Sequence, residues 1–404
     1  MNTKANKKNY VFFIGEELPK PEAHLVQSTN AANGAANLGY STVLTYPQKG
    51  LPALNPINLV RPFRPRKPPQ ELVEYYNLHD KLQVSALPMP WPIDHWQSKF
   101  TDSNTIATKY YFPLHILPTT KLVHSRNWNF VKAAVRNGIP AIYEHHHHED
   151  KPFDQDIVKS PLFQIAVTVI DTIRETMIAN GMPSEKVITL HNGFNRLFIE
   201  RQPEKAQAWR EKLLQNQREY LVVYSGALQQ FKGIDVLIEV AKEMPNVQFA
   251  CAGGKPAEVE YYQKLAQQQQ VPNIAFLGYL LHNQLPSLLQ AANILAHPHC
   301  SGQAATFTSP LKLFDYFASG VPVVATDIPS LTQFKTTDAI AAWCEPDHPH
   351  QFAQALQQVL TQYPRKITGY EHLIKFVQQF SWENRAAKIL SYVDKSFLPS
   401  LIAS

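Results

Sequence analysis

Cysteine is nearly absent. Three thiols, Cys251, Cys300 and Cys344, are spread over 404 residues with no CxxC spacing. An odd, dispersed set of this kind excludes a disulfide framework and a cysteine-rich zinc site, and fits reduced thiols in the cytoplasm. Long apolar runs are missing as well: the first, YVFFIG (10–15), is too short for a signal-peptide core or a membrane span. Basic residues form no long tract. With 38 Lys and Arg against 33 Asp and Glu, the net charge is +5. That suits an anionic ligand or a weak attraction to an anionic membrane, and leaves no nucleic-acid footprint. No short motif repeats along the chain. The remainder, 44% hydrophobic and 18% charged residues over this length, describes a soluble globular protein of two domains, expected in the cytoplasm.

Apolar segments alternate with helix-patterned ones. YVFFIG (10–15), a helix over 24–39 stopped by Gly39, and STVLTY (41–46) make a strand–helix–strand unit, whose parallel strands need such a crossover. Further strands are predicted at 120–125, 139–144, 164–170 and 186–190, with a helix at 129–138. The second half repeats the logic, with strands at 220–226, 247–254, 274–280, 294–299 and 321–327. Helices at 232–244, 258–270, 282–292 and 309–320 separate them. The fold class is α/β, a doubly wound parallel sheet in each half, with a boundary near 191–205 where the pattern lapses. In such sheets ligands sit beyond the carboxyl ends of the strands, and the chemistry is sought there.

The seven prolines from Pro47 to Pro69 exclude a helix interior or a central strand and predict an exposed loop. Arg61, Arg64, Arg66 and Lys67 make its tip basic. Together with LPMPWPIDHWQSKF (87–100), which holds Trp91, Trp96 and Phe100, it is the candidate contact for an acceptor or for the inner membrane surface. Packing is the plainer role for any one of those aromatics.

The strongest candidate for chemistry is FTSPLKLFDYFASGVPVVATD (307–327). Ser309 can cap a helix and Pro310 suits its first position, so the N–H groups of Leu311 and Lys312 are left for an anion. Lys312 and Asp315 share one helix face. Taken alone, an ordinary amphipathic helix and a phosphate site account for this stretch equally well.

The stretch resembles the signature of retaining glycosyltransferases of family 4, whose GT-B fold has two facing Rossmann-like domains. Other pieces follow in the family's order. VITLHNGFN (187–195) is similar to the linker between domains. YSGALQQFKGIDVLIEV (224–240) resembles the first strand and loop of the donor domain, with Gly226 in the loop and Lys232 at the diphosphate-binding lysine. IAFLGYLLHNQLPSLLQAANILAHP (274–298), which includes Leu280, resembles the elements flanking the nucleotide base. FSWENRAAKIL (380–390) resembles the start of the last helix, which crosses back to the first domain. The resemblance implies an acceptor-side domain over 1–193, a nucleotide-sugar domain over 194–378, and a C-terminal helix within 379–404 packing on the first domain.

The activity so implied is hexosyl transfer from a nucleoside-diphosphate sugar to the hydroxyl of a glycan, lipid or small molecule, with no metal or other cofactor. Lys232 and the helix start at Ser309–Lys312 would stabilise the departing diphosphate, and Asp315 would hydrogen-bond the ribose. Two positions depart from the family: Phe307 stands where the first of its paired glutamates falls, and Ala227 where many members carry an arginine. Lys255, after Gly253 and Gly254, is a candidate substitute for that arginine. A sugar-nucleotide epimerase of the same fold and a non-catalytic nucleotide-sugar-binding subunit are the alternatives.

YEHHHHED (143–150) follows the strand predicted at 139–144. Adjacent histidines cannot all point one way, which makes a four-ligand metal site poor, and an internal run is unlike a terminal tag. The resemblance aligns His146 with the histidine that faces the donor sugar and implies a catalytic role in orienting an oxocarbenium-like transition state. His145, His147 and His148 are then surface or supporting residues. Asp154 and Asp156 echo a metal motif of a different glycosyltransferase fold, but they trail a proline-containing segment in a two-domain chain, and a solvated acidic turn is the favoured reading.

Overall fold

The computed structural model describes residues 8–50, 57, 60–78, 81–89, 101–148, 150–307 and 311–401. The chain divides into two compact units, Met1–Gly193 with Trp382–Ser404, and Phe194–Ser381.

In the first unit β1 (Asn9–Phe13), β2 (Thr42–Gln48), β3 (Gln83–Pro88), β4 (Thr120–Ser125), β5 (Ala141–Glu144), β6 (Phe163–Thr168) and β7 (Val187–Thr189) form one sheet in the order β3-β2-β1-β4-β5-β6-β7. Every pairing in it is parallel. All five residues of β1 are buried, because a strand covered on both faces becomes a continuous apolar run. The helix Ala23–Asn37 is rich in small residues for a reason. A Cβ on Gly34 would sit 2.7 Å from the backbone of Trp382, so a smooth surface lets the helix Trp382–Leu390 lie close against it. Asn37 Nδ2 donates to Glu383 Oε1 at 2.7 Å and ties the two helices further.

Two expectations change in this unit. The proline-rich stretch is not loop throughout, since β2 continues through Pro47, which pairs with Leu87 of β3. β1 pairs with β2 only as far as Thr45; beyond it β2 has one neighbour, and a missing N–H is tolerated. Arg66 also exchanges both backbone hydrogen bonds with Val84, at 2.9 and 2.8 Å, so the stretch 61–69 covers the outer edge of β3. The four basic side chains there are exposed. Trp91, Trp96 and Phe100 lie outside the described residues.

The second unit holds β8 (Tyr220–Ser225), β9 (Val247–Ala252), β10 (Ile274–Gly278), β11 (Ile294–His297), β12 (Val323–Thr326) and β13 (Ala342–Cys344), ordered β10-β9-β8-β11-β12-β13 and again all parallel. Leu221 and Val223 enter one apolar core, Val222 and Tyr224 the other, so alternate residues of β8 serve the two faces of the sheet. In each sheet the order reverses beside the first strand, between β1 and β4 and between β8 and β11. Such reversals open crevices at the carboxyl ends of the strands. Among the described residues no helix is long and apolar enough to cross a membrane.

Candidate functional site

In the second unit, two glycine turns lie where β8 and β9 end. Gly226 has φ +139° and Gly253 φ +117°, and a Cβ on Gly253 would collide with the Gly226 carbonyl. The Gly226 N–H donates to the Ala252 carbonyl at 2.9 Å. Lys312, from the helix Leu311–Ser319, brings its Nζ to 3.5 Å from where a Gly226 Cβ would be. The same ammonium lies 3.9 Å from the centroid of the Tyr224 ring. Lys232 ends the short turn Gln230–Lys232, its Nζ 4.5 Å from the Phe231 ring centroid. Gly233 then starts the helix Ile234–Glu243 at φ +75°, where a Cβ would strike the Pro298 carbonyl. Only glycine lets the Lys232 turn press so close to the end of β11.

These lysines sit against aromatic faces rather than carboxylates. Burial brings the Lys232 ammonium down to about 8. Burial, and then Lys232 itself, hold Lys312 well below the usual lysine range, only partly offset by Cys251. Lys312 Nζ has no hydrogen-bond partner among the described residues. Two lysines lowered by burial, one of them further by the other, with no carboxylate among the described residues acting on either, suit an anionic ligand.

Of the other expected donor residues, Leu311 opens the Leu311–Ser319 helix and Asp315 lies on it one turn further. Burial raises the Asp315 carboxyl well above its usual range, against a hydrogen bond from the Asn195 backbone. Ser309 and Pro310 lie outside the described residues. Leu280 packs against the apolar core containing Phe314 and Phe317, so the structure gives it a packing role. Lys255 is exposed and precedes the helix Pro256–Gln268, its N–H donating to Glu258 Oε2 at 2.8 Å. His297 and His299, buried at the end of β11, belong to this neighbourhood and were not singled out above. Their signal is two histidines in the otherwise apolar ILAHPH.

In the first unit the histidine run starts where β5 ends on Glu144, a carboxylate only 2% exposed. Four side chains donate to it: Gln27 Nε2 at 2.6 Å, His124 Nε2 at 2.9 Å, His146 Nε2 at 2.8 Å and Arg385 at 2.7 Å. Burial alone would raise this carboxyl, but Arg385, His124 and His146 together hold it well below the carboxylate range. Tyr10 and His124 Nδ1 meet at 2.9 Å and extend the chain of contacts.

Arg126 approaches His146 Nδ1 at 3.0 Å. A guanidinium can only donate, so Nδ1 carries the lone pair and Nε2–H points at Glu144. Burial and Arg126 push His146 down to about 3, leaving the ring neutral. Both ring nitrogens are therefore occupied, Nδ1 by Arg126 and Nε2 by Glu144. His145 is engaged too, with Nδ1 at 2.9 Å from the Tyr143 hydroxyl. Asp154 is not a solvated turn: Trp128 Nε1 donates to it at 3.0 Å and Lys132 pairs with it at 3.1 Å. Asp156 is exposed, with Arg136 at 3.4 Å. Among the described residues no three His, Cys, Asp or Glu side chains are grouped to hold a metal ion.

Residues 205–378 match the family of glycosyl transferases group 1. The D-inositol 3-phosphate glycosyltransferase of Corynebacterium aurimucosum is 31% identical over 180 residues, covering 42% of this chain and 41% of that protein. The alpha-galactosylglucosyldiacylglycerol synthase of Streptococcus pneumoniae is 26% identical over 215 residues, 50% of this chain and 53% of its own length. The chain thus spans about half the length of these curated relatives or less. Solved structures align almost end to end. A glycosyltransferase of Rickettsia africae superposes with a TM-score of 0.68 at 14% identity, over 96% of this chain and 98% of that one. HepE of Anabaena, crystallised with UDP and glucose, gives 0.65 at 16% identity, over 95% and 99%. At these identities the likeness establishes the fold, GT-B.

Proposed function

We propose that this chain, a protein of the GT-B fold whose residues 205–378 belong to the group 1 glycosyl transferases, moves a sugar from a nucleoside-diphosphate sugar to an acceptor hydroxyl. The carrying observation is the pair of half-buried lysines, Lys232 and Lys312, gathered beside glycine turns, with no carboxylate among the described residues acting on either. Buried cations without a counter-ion are costly, and a diphosphate supplies the missing charge. That HepE binds UDP-glucose supports a ligand of this class.

As in family 4, the transfer retains configuration. The bond from the anomeric carbon to the phosphate oxygen breaks while the acceptor oxygen bonds to the same face of the sugar. The acceptor proton passes to the leaving phosphate oxygen. Lys232, Lys312 and the N–H groups of Leu311 and Lys312, at the helix start that follows Ser309, stabilise the charge that grows there. The Gly226 turn lets the diphosphate approach the backbone, and Asp315 holds the ribose. With charge neutralised in this way the route requires no divalent cation. The role proposed for His146 is acceptance of a sugar hydroxyl at its Nδ1 lone pair, in place of Arg126.

A screen of uridine, guanosine and adenosine diphosphate sugars, with NMR of the product anomer, tests the reading. Transfer with retention is expected, undiminished by a strong chelator. Lys232→Ala should lower kcat by about 10²–10³. Binding of no nucleoside-diphosphate sugar removes the proposal. Conversion of the donor into an isomer without acceptor replaces it by epimerisation.

A further inference from the structure

His297 closes β11 and His299 follows two residues later, where the strand order of the second sheet reverses. The Lys232 turn presses on this segment: the Cys300 N–H donates to the Phe231 carbonyl at 3.0 Å. The two imidazole centroids are 4.0 Å apart, and the two residues are 0% and 1% exposed. Their backbone is well bonded, since Thr326 Oγ1 donates to both carbonyls, at 3.3 and 2.7 Å. Their side chains are not. None of the four ring nitrogens has a hydrogen-bond partner among the described residues, and Lys312 Nζ shares that condition. Native interiors leave few polar atoms unsatisfied, and a cluster of them points to a ligand.

The charges agree. Burial, then Lys312 and Lys232, hold His297 well below the usual histidine range, against a weak contact with its own backbone that falls short of a hydrogen bond; His299 is lowered by burial, by His297 and by the same two lysines. The other groups acting here are the Cys251 thiol, which burial pushes up to about 12, and the Tyr224 and Phe231 rings under the two ammonium groups. Among the described residues no carboxylate acts on the two histidines or the two lysines.

We propose that His297 and His299 are further binding residues of this site, donating ring N–H groups to the diphosphate beside Lys232 and Lys312, and that the site takes up protons as the anion enters. This rests on the diphosphate reading above. Four crowded bases without a counter-charge do not all stay protonated; an anion reverses the field on each and favours its charged form. A charged imidazole then offers a second donor.

The test is calorimetric titration of the full chain, wild type, His297→Asn and His299→Asn, with UDP, GDP and ADP in buffers of different ionisation heat. The matching nucleosides serve as controls, and imidazole 15N spectra of the wild type are recorded alongside. Net proton uptake is expected with a nucleoside diphosphate and none with a nucleoside. Each variant should bind the diphosphate roughly tenfold more weakly, with nucleoside affinity and Tm unchanged, and both wild-type ring signals should move on saturation. Undiminished binding by the variants with unmoved signals overturns the histidine assignment and leaves the diphosphate reading standing. Failure of the wild type to bind any nucleoside diphosphate overturns both. If a variant does not fold, the wild-type signals and proton count decide.

Discussion

Burial keeps the Lys232 ammonium near a pKa of about 8, within the range where its charge responds to ordinary changes of pH. In the empty protein the charged fraction falls as pH rises through that value. Only the charged form attracts a diphosphate, so the affinity for UDP should bend downward above about pH 8, by at most about tenfold per unit for this one proton. Lys232→Met should bind more weakly and lack that bend; a titration series from neutral to alkaline pH reads both. Glu144 behaves with the opposite sign. Its carboxyl is depressed in the folded state, so its contribution is present above the unfolded value of about 4.3 and is lost as pH falls below it. Glu144→Gln leaves Arg385 buried beside a neutral amide. It should cost about 3–5 kcal/mol at pH 7 in urea unfolding, with a smaller gap from wild type in acid.

At the scale of elements, two glycines set two different approaches. Gly34 admits the backbone of Trp382, and Gly233 admits the Pro298 carbonyl. Gly34→Ala should destabilise by about 1–3 kcal/mol through overpacking and spare UDP binding. Gly233→Ala is strained at φ +75° and moves the Lys232 turn, so UDP binding should fail; a thermal melt beside a binding titration separates the two effects. The central strands of both sheets were readable in advance because strands buried on two faces are uninterrupted apolar runs. Two of the four edge strands were not: β3 carries polar residues beside proline, and β13 is three residues long. Lys232 and Lys312 could be found because each stands in a contiguous motif with a helix start. Glu144 and Arg385 meet across 241 positions, and nothing local in either segment announces the other. His297 and His299 are two residues apart, yet only their shared lack of partners marks them, and that is a property of the fold.

For the molecule as a whole, the chain crosses between its units twice, and the second crossing returns Trp382–Ser404 to the unit of Met1–Gly193. The returning helix is not a passive tail. Trp382 is 5% exposed and Arg385 supplies the guanidinium that holds Glu144 ionised. The second unit, by contrast, finishes its sheet and its lysine cluster within Phe194–Ser381. Deleting 382–404 should therefore divide the two properties. The first unit loses its ion pair and the cover over Gly34 and should unfold at lower temperature, because a buried carboxylate without its guanidinium is strongly destabilising. UDP affinity, measured below that transition, should match the full chain. Loss of nucleotide binding together with the first unit's stability would mean that the diphosphate site draws on residues beyond 194–381, and the assignment of the lysine cluster as a complete anion site would have to be given up.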